Sequence, residues 1–158
     1  MSIVVKHLHK RGHSRYFDSQ AVKHARDIYK QQFGPMSETV TKSLVRNMNI
    51  IYVFWIEDET RSTIAATMVS EIMDRHFRIG GLAVKTEHQR KGLASALLRE
   101  MDAVLPKDST LELGVDVGKD TTEWYTNWYT RMGFEVVEIK SYEFVMSKEL
   151  KREADVNL

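Results

Sequence analysis

The sequence predicts an α/β domain with a mixed, mostly antiparallel sheet. β-Branched and aromatic runs alternate with segments that have the 3.6-residue periodicity of helices, and one strong helical segment separates two strand segments. Because a helix between two strands makes a crossover connection, the flanking strands are expected to be parallel, whereas short turns elsewhere predict antiparallel hairpins. The predicted order of elements is β-α-α-β-β-β-α-β-α-β-β.

Composition limits the classes of protein to consider. The chain has 158 residues, which suits one domain over 1–158, and its net charge of +1 argues against a nucleic-acid binder. The absence of cysteine excludes disulfides, thiolate metal sites and a cysteine acyl-enzyme. No apolar run approaches the length of a membrane span, and cations between Lys6 and Arg11 interrupt any signal peptide. We therefore expect a cytoplasmic protein that has no metal and no membrane contact.

The first third of the chain predicts one strand and two helices. The stretch SIVVKHL (2–8) is predicted as a strand, and a polar loop follows over 11–19. Apolar residues at helical spacing from Ala21 to Phe33 predict a helix that ends at Gly34-Pro35. Ser37 is expected to cap a second helix, whose apolar face runs from Val40 to Met48.

The central segments predict a three-stranded meander. The runs IIYVFWI (50–56), TIAATMVSEIM (63–73) and FRIGGLAV (77–84) are separated by the charged turns EDETRS and DRH. Paired glycines inside the last strand, Gly80 and Gly81, indicate a bulge or a close approach of backbone.

The last part of the chain returns to alternating helices and strands. An apolar stripe predicts a helix from about Leu93 to Leu105, with Pro106 as its stop, and STLELGVDV (109–117) alternates as a strand. An aromatic helix is expected to end at Gly133, and FEVVEIK (134–140) and YEFVMSK (142–148) are predicted as a closing strand pair. The charged segment 149–158 is predicted to be a frayed tail.

The stretch HQRKGLASALL (88–98) combines two cations, a glycine and the start of a helix. The first N–H groups of a helix have no intrahelical partner and carry partial positive charge, which suits a phosphate. Gly92 permits close approach of an anion, and the small side chain of Ala94 leaves the first helical turn accessible to it. An ordinary solvated loop before a helix is the alternative interpretation.

Two motifs resemble those of the GNAT superfamily, the acyl-CoA-dependent N-acetyltransferases. GLAVKTEHQRKGLASALL is similar to the family's signature, with Gln89, Gly92 and Ala94 at the pattern positions after a Leu-Ala-Val strand. Downstream, YTRMGF (129–134) resembles the family's Tyr-x-x-x-Gly-Phe motif. The resemblance covers most of the chain and implies a GNAT-like fold whose central parallel strands splay around a site for coenzyme A (CoA).

The resemblance also implies which residues bind acetyl-CoA. The backbone of the Leu-Ala-Val strand would bond the pantetheine arm, and the N–H groups of 90–95 would hold the pyrophosphate. Many family members carry Asn and Ala where this chain has Thr122 and Tyr125, so Thr122 is expected to cap the helix or contact CoA, and Tyr125 to narrow the cleft. The expected cofactor-binding residues are Leu82, Ala83, Val84, Gln89, Arg90, Lys91, Gly92, Leu93, Ala94, Ser95, Thr122 and Tyr129.

Direct attack of an amine on the thioester needs an acid and a base. Tyr129 is the expected acid for the leaving thiolate, as the resemblance implies, although an aromatic residue of the core is the plainer interpretation of that position. Asp116, at the end of its strand, is the first candidate for the base that deprotonates the amine. Glu71 is a further candidate, as is Glu112 on the same strand face as Asp116, and any of the three could simply face solvent.

The acceptor is less clearly specified. Aromatic side chains together with carboxylates suit a small cationic amine such as a polyamine, and an open groove would suit a protein N-terminus or lysine. The candidates for the pocket are Tyr29, Phe33, Met36, Tyr52, Trp55 and Tyr142. A non-catalytic acyl-CoA-binding module and a domain that binds nucleic acid or protein through its basic loop are the other hypotheses. The expected partners are acetyl-CoA and an amine, with no nucleic acid, and the expected state is a monomer or homodimer.

Overall fold

The computed structural model describes residues 3–11, 20–34 and 50–150. Three α-helices, seven strands and one 3₁₀ turn (Thr86–His88) lie within these ranges. The strands are β1 (Lys6–Arg11), β2 (Ile50–Glu57), β3 (Thr63–Met73), β4 (His76–Val84), β5 (Ser109–Asp116), β6 (Glu135–Ile139) and β7 (Glu143–Leu150). The helices are α1 (Gln20–Phe33), α2 (Leu93–Val104) and α3 (Thr122–Arg131).

All seven described strands form one mixed sheet in the order β1-β2-β3-β4-β5-β7-β6. The β4–β5 pair, which α2 connects, is parallel, and the other neighbouring strands are antiparallel. The predicted α/β class, the mixed sheet and the position of its parallel pair are therefore confirmed.

The parallel strands separate soon after they meet. Their paired residues run only from His76↔Thr110 to Arg78↔Glu112, and no further β4–β5 pairs follow within the described residues. Just beyond this point β4 bulges against β3: Gly81 faces Met68 while Ile79 faces Val69, so Gly80 is the extra residue. The bulge predicted at the paired glycines is thus confirmed, and it lies where the sheet opens.

The two faces of the sheet carry different helices. α1 packs Ala25, Ile28 and Tyr29 on the face formed by alternate residues of β2, β3 and β4. The opposite face forms the larger core with α2, and α3 adds partly buried aromatic residues there. The gap between β4 and β5 is lined by Phe33 of α1 and by Tyr125 and Tyr129 of α3.

Several predicted boundaries shift. β1 covers Lys6–Arg11 rather than 2–8, and the last strand continues through Glu149 and Leu150, where a frayed tail was predicted. Leu150 is only 4% exposed, so its burial extends the strand beyond the point where charged residues begin to dominate the sequence. The predicted second helix (37–48) and the remainder of the tail (151–158) lie outside the described residues. Among the described residues, no helix has both the length and the hydropathy that crossing a bilayer requires.

Tyr29 of α1 fixes the backbone at the bulge. Its hydroxyl donates to the Gly81 carbonyl (2.5 Å) and accepts from the Met68 N–H (2.8 Å). The Thr67 hydroxyl donates to the same Gly81 carbonyl (2.5 Å). Burial raises the pKa of Tyr29 to about 12, while hydrogen bonding by the Met68 N–H and the Thr67 side chain acts in the opposite direction. The helix is therefore tied to the site where β4 and β5 part.

Replacing Tyr29 by phenylalanine is expected to destabilise the fold by about 1–3 kcal/mol near neutral pH, because the Met68 N–H loses its partner. A phenol with a raised pKa stabilises the folded state below its unfolded pKa of about 10, and that contribution is lost as pH rises toward about 12. The stability difference between wild type and Tyr29→Phe should therefore shrink above about pH 10. Urea unfolding at about pH 8 and about pH 11 measures it, and a difference that stays constant would contradict the assignment.

Candidate active site

The segment before α2 has a backbone arranged for an anion. Gly92, the N-cap residue, has a left-handed φ of 79°, and no side chain caps the helix. Arg90 also has a positive φ, 66°, which is uncommon for a residue with a side chain. The N–H groups of the first turn have no partners within the helix, so they point toward any ligand at its N-terminus.

The end of β4 presents an open edge beside this segment. One edge of 82–84 pairs with β3, whereas the other has no strand partner among the described residues because β5 has turned away. The Gln89 side chain donates to the Val84 carbonyl (3.2 Å), which fixes the loop against the end of the strand. An extended ligand can therefore bond this edge as an added strand would.

The open edge, the loop and α3 enclose a cavity of about 430 Å³, called here the loop cavity. Its walls come from the end of β4, the start of α2, one face of α3 and the end of α1. The lining residues are Leu82, Ala83, Val84, His88, Gln89, Arg90, Gly92, Leu93, Ala94, Ser95, Trp124, Tyr125, Trp128, Tyr129, Gln32 and Phe33.

A second cavity of about 350 Å³ fills the gap between the separated strands and is called here the strand cavity. Residues 79–82 of β4 form one wall, and residues 113–116 of β5 form the other. The residues common to both cavities are Phe33, Leu82, Tyr125 and Tyr129. The two cavities therefore meet beside the β4 bulge and the aromatic face of α3.

Tyr129 lies at this meeting point. Its half-buried ring packs edge-on against Phe134 (5.7 Å between centroids) and stacks with Tyr125 (6.4 Å). Burial raises the pKa of Tyr129 well above its ordinary value, with Tyr125 and Tyr29 adding to the effect. Within the described part of the chain no group hydrogen-bonds its hydroxyl. The phenol is thus protonated at neutral pH and free to bond a ligand.

Most of the expected cofactor-binding residues come together around the loop cavity, with two exceptions. Lys91 lines neither cavity and lies 3.5 Å from the ring nitrogen of His88. The Thr122 hydroxyl donates to the Asp116 carbonyl (2.6 Å) and accepts from the Lys119 N–H (3.1 Å), so it holds the loop before α3. The expected capping role is wrong, because Thr121 is the N-cap residue of α3 and no side chain makes a cap hydrogen bond there. Contact of Thr122 with CoA stays a prediction.

The candidate bases separate clearly. Asp116 is exposed at the end of β5 and lines the strand cavity that also contains Tyr129. Glu71 pairs with Phe77, which lies five residues before Leu82 in β4. Glu71 is therefore roughly 16 Å along the strand from Leu82, where the two cavities meet, and it lines neither cavity. Glu112 is held by an ion pair with Arg78 and a hydrogen bond with His76. The structure brings only Asp116 to the same cavity as Tyr129.

Sequence reasoning missed part of the cavity lining. Trp124 and Trp128 line the loop cavity, but their apolar character had indicated only a helix face. The available signal was the four-residue spacing of Trp124 and Trp128 beside the same spacing of Tyr125 and Tyr129, because residues four apart share a helix face and the two pairs are neighbours around the helix. Of the predicted acceptor aromatics in the described residues, only Phe33 lines either of these two cavities. Tyr29 and Tyr52 are core residues, Trp55 stacks on His24, and Tyr142 is exposed and lines neither cavity. Met36 lies outside the described residues.

Comparisons with known proteins agree with this architecture. The model of the acetyltransferase (GNAT) domain family matches residues 50–136, more than half of the chain. No curated relative matches the chain in sequence.

Many solved structures share the fold at low sequence identity. They include the PaiA N-acetyltransferase from Thermoplasma acidophilum in complex with coenzyme A, with a TM-score of 0.61, 20% identity and coverage of 94% of this chain and 99% of that chain. The ribosomal-protein-S18-alanine N-acetyltransferase from Escherichia coli has a TM-score of 0.64, 16% identity and coverage of 93% and 96%. An aminoglycoside 6'-N-acetyltransferase complexed with coenzyme A has a TM-score of 0.64, 11% identity and coverage of 92% and 98%.

The geometry and the family match lead to the same conclusion. The Gly92 segment, the open edge of β4 and the parallel strand pair all lie within or beside the matched region. No group of three or more His, Asp or Glu side chains in the described ranges is arranged to hold a metal ion. The chain belongs to the GNAT family of acetyltransferases.

Proposed function

We propose that this protein transfers an acetyl group from acetyl-CoA to the primary amine of a small cationic acceptor. The observation that carries the proposal is the meeting of the two cavities at Tyr129. The loop cavity gives a donor one route to this point, and the strand cavity gives an acceptor a separate route. Two substrates that meet without a covalent enzyme intermediate fit a chain that has no cysteine.

The loop cavity fits the donor in shape and in bonding groups. Backbone N–H groups of 92–95 would hold the pyrophosphate, helped by the charge of Arg90. The open edge of Leu82, Ala83 and Val84 would bond the amides of the pantetheine arm. Bound in this direction, acetyl-CoA supplies an activated thioester carbonyl near Tyr129.

The proposed chemistry uses one acid and one base. Asp116 accepts a proton from the ammonium form of the acceptor, directly or through water, so that the amine nitrogen can bond the thioester carbon. Tyr129 donates its phenolic proton to the sulfur as the carbon–sulfur bond breaks. The nitrogen of the adduct loses its second proton through water, which restores the tyrosine, and solvent takes the first proton from Asp116. Because burial raises the pKa of Tyr129, the phenol carries its proton at neutral pH, as a proton donor must.

The strand cavity supports a small cation as acceptor. Asp116 supplies a carboxylate and Phe33, Tyr125 and Tyr129 supply aromatic rings, while Lys119 adds one cation to the lining. Aromatic faces and a carboxylate together favour an ammonium group, as in a polyamine. A peptide amine is the alternative acceptor, and a chain that binds acetyl-CoA without transfer is the alternative function. The monomeric or homodimeric state and the cytoplasmic location stay predictions.

Release of CoA from acetyl-CoA, measured with polyamines, aminoglycosides and peptides, tests the proposal. We expect turnover with a small polycationic amine and little with peptides. Turnover with peptides alone would reject the small cationic amine as acceptor and favour a peptide amine. Binding of CoA without turnover on a wide panel would favour the non-catalytic alternative, and no binding of CoA would reject the proposal.

The Asp116→Asn variant is expected to lower kcat/KM for the best amine by about 100-fold or more at neutral pH, because general base catalysis is worth about that much. The loss should diminish as pH rises and the amine deprotonates in solution. Asp120→Asn is the matched control, since Asp120 is exposed nearby but lines neither cavity. Equal rates for Asp116→Asn and wild type would remove Asp116 as the base.

A further inference from the structure

The helix α3 carries four aromatic residues, two in each of two successive turns, on the wall of the loop cavity. Trp124 and Trp128 are four residues apart and their rings are almost parallel, 3° between planes with centroids 6.5 Å apart. Tyr125 and Tyr129 form a second such pair. Trp124 is 58% exposed and Tyr125 is 43% exposed, a large apolar area for one short helix.

The two pairs face different parts of the site. Tyr125 and Tyr129 line both cavities, so they lie where the cavities meet. Trp124 and Trp128 line only the loop cavity, which they share with Arg90 and Gly92. The loop cavity also contains the edge of 82–84, so the tryptophans lie on the proposed donor side of the site and outside the gap between the strands.

The direction in which CoA binds determines which part of the coenzyme lies beside the two tryptophans. In the proposed function, which this inference rests on, the pyrophosphate lies at Gly92 and the thioester lies at Tyr129. Beyond the pyrophosphate, the remaining part of CoA is its 3′-phosphoadenosine. Adenine is the planar aromatic group of the coenzyme, and an exposed indole provides the surface on which a base stacks.

We infer that Trp124, aligned by Trp128, is a stacking platform for the adenine of CoA. Because the two indole planes are nearly parallel, an adenine ring that stacks parallel to one indole is also parallel to the other. Trp128 is half-buried and packs against the main core, which fixes the platform. Trp124 contributes the open surface, and its loss would weaken the nucleotide end of the ligand selectively.

The test compares three ligands by calorimetry: CoA, adenosine 3′,5′-bisphosphate, which keeps the adenine, and 4′-phosphopantetheine, which lacks it. Trp124→Leu keeps apolar bulk but removes the planar ring, and Trp124→Phe keeps a ring. We expect Trp124→Leu to weaken CoA and adenosine 3′,5′-bisphosphate by roughly 5- to 100-fold, the range for one base–aromatic stack, and to leave 4′-phosphopantetheine unchanged. Trp124→Phe should recover most of the affinity.

The controls separate this inference from the proposed function. Trp55→Phe alters a tryptophan on the α1 side of the sheet, stacked on His24, and should leave all three affinities unchanged. If Trp124→Leu weakens 4′-phosphopantetheine as much as CoA, the tryptophans contact the pantetheine arm and the platform is rejected. If Trp124→Leu leaves the wild-type affinity for CoA intact, the platform alone is rejected, whereas wild type that binds no CoA rejects the proposed function itself.

Discussion

Replacing Gly92 by glutamate is expected to weaken CoA binding by about 100-fold or more, equivalent to about 2.7 kcal/mol. The new carboxylate would stand at the N-terminus of α2, where the coenzyme's pyrophosphate is proposed to lie, and would compete with it for the same N–H groups. The position itself has space, since no described residue other than its chain neighbours has an atom within 4 Å of a Cβ built there. The loss therefore reports on the anion site rather than on packing.

The left-handed backbone at residue 92 requires a matched control. Any side chain at a φ of 79° costs about 1–2 kcal/mol of stability, which could be mistaken for a binding effect. Gly118 has a φ of 73°, equally open surroundings and no place in the loop cavity. Gly118→Glu should show a comparable loss in Tm with normal CoA affinity. Calorimetric affinities that fall equally for both variants would reject the phosphate assignment.

Replacing Tyr129 by phenylalanine is expected to lower kcat by about 10²- to 10⁴-fold, the usual contribution of a general acid. CoA affinity should change only a few-fold, because the ring and its packing on Phe134 remain. The wild-type phenol has a pKa raised by burial, so its proton should be available until the pH is above its ordinary value of 10. Loss of the acid by titration should therefore not limit activity below about pH 10.

Tyr125 provides the control for that experiment. It lies one turn before Tyr129, stacks with it and lines the same two cavities. Tyr125→Phe removes a hydroxyl from the same wall and is expected to leave kcat within a few-fold of wild type. Rates measured by CoA release, with affinity measured separately, distinguish the two tyrosines. Equal effects of both substitutions on kcat would remove Tyr129 as the acid.

The sequence was informative where local chemistry dictates structure. The crossover through the helix starting at Leu93 predicted the parallel pair, and Gly80-Gly81 predicted the bulge. Both features follow from short-range properties: the connection length that parallel strands need and the backbone freedom of glycine. The end of β7 was placed two residues early because charge at Glu149 concealed the burial of Leu150, which depends on tertiary packing.

The site was predictable in its motifs but not in its division into two cavities. The signature around Gly92 and the Tyr129 motif both lead to the loop cavity, since backbone geometry there is local. Where the strands stop pairing is a property of the whole sheet, and this determines that Asp116 lies at the strand cavity while Glu71 does not. Periodicity also could not distinguish a core aromatic from a cavity aromatic, which is why Trp124 was overlooked.

A crystal structure of the protein with bound CoA tests the central claim most directly. The proposed function predicts the pyrophosphate within about 3 Å of backbone nitrogens in 92–95, the pantetheine arm along the open edge of 82–84, and the thiol beside the Tyr129 hydroxyl. CoA bound away from the loop cavity, or bound there with its thiol directed away from Tyr129 and the strand cavity, would contradict it.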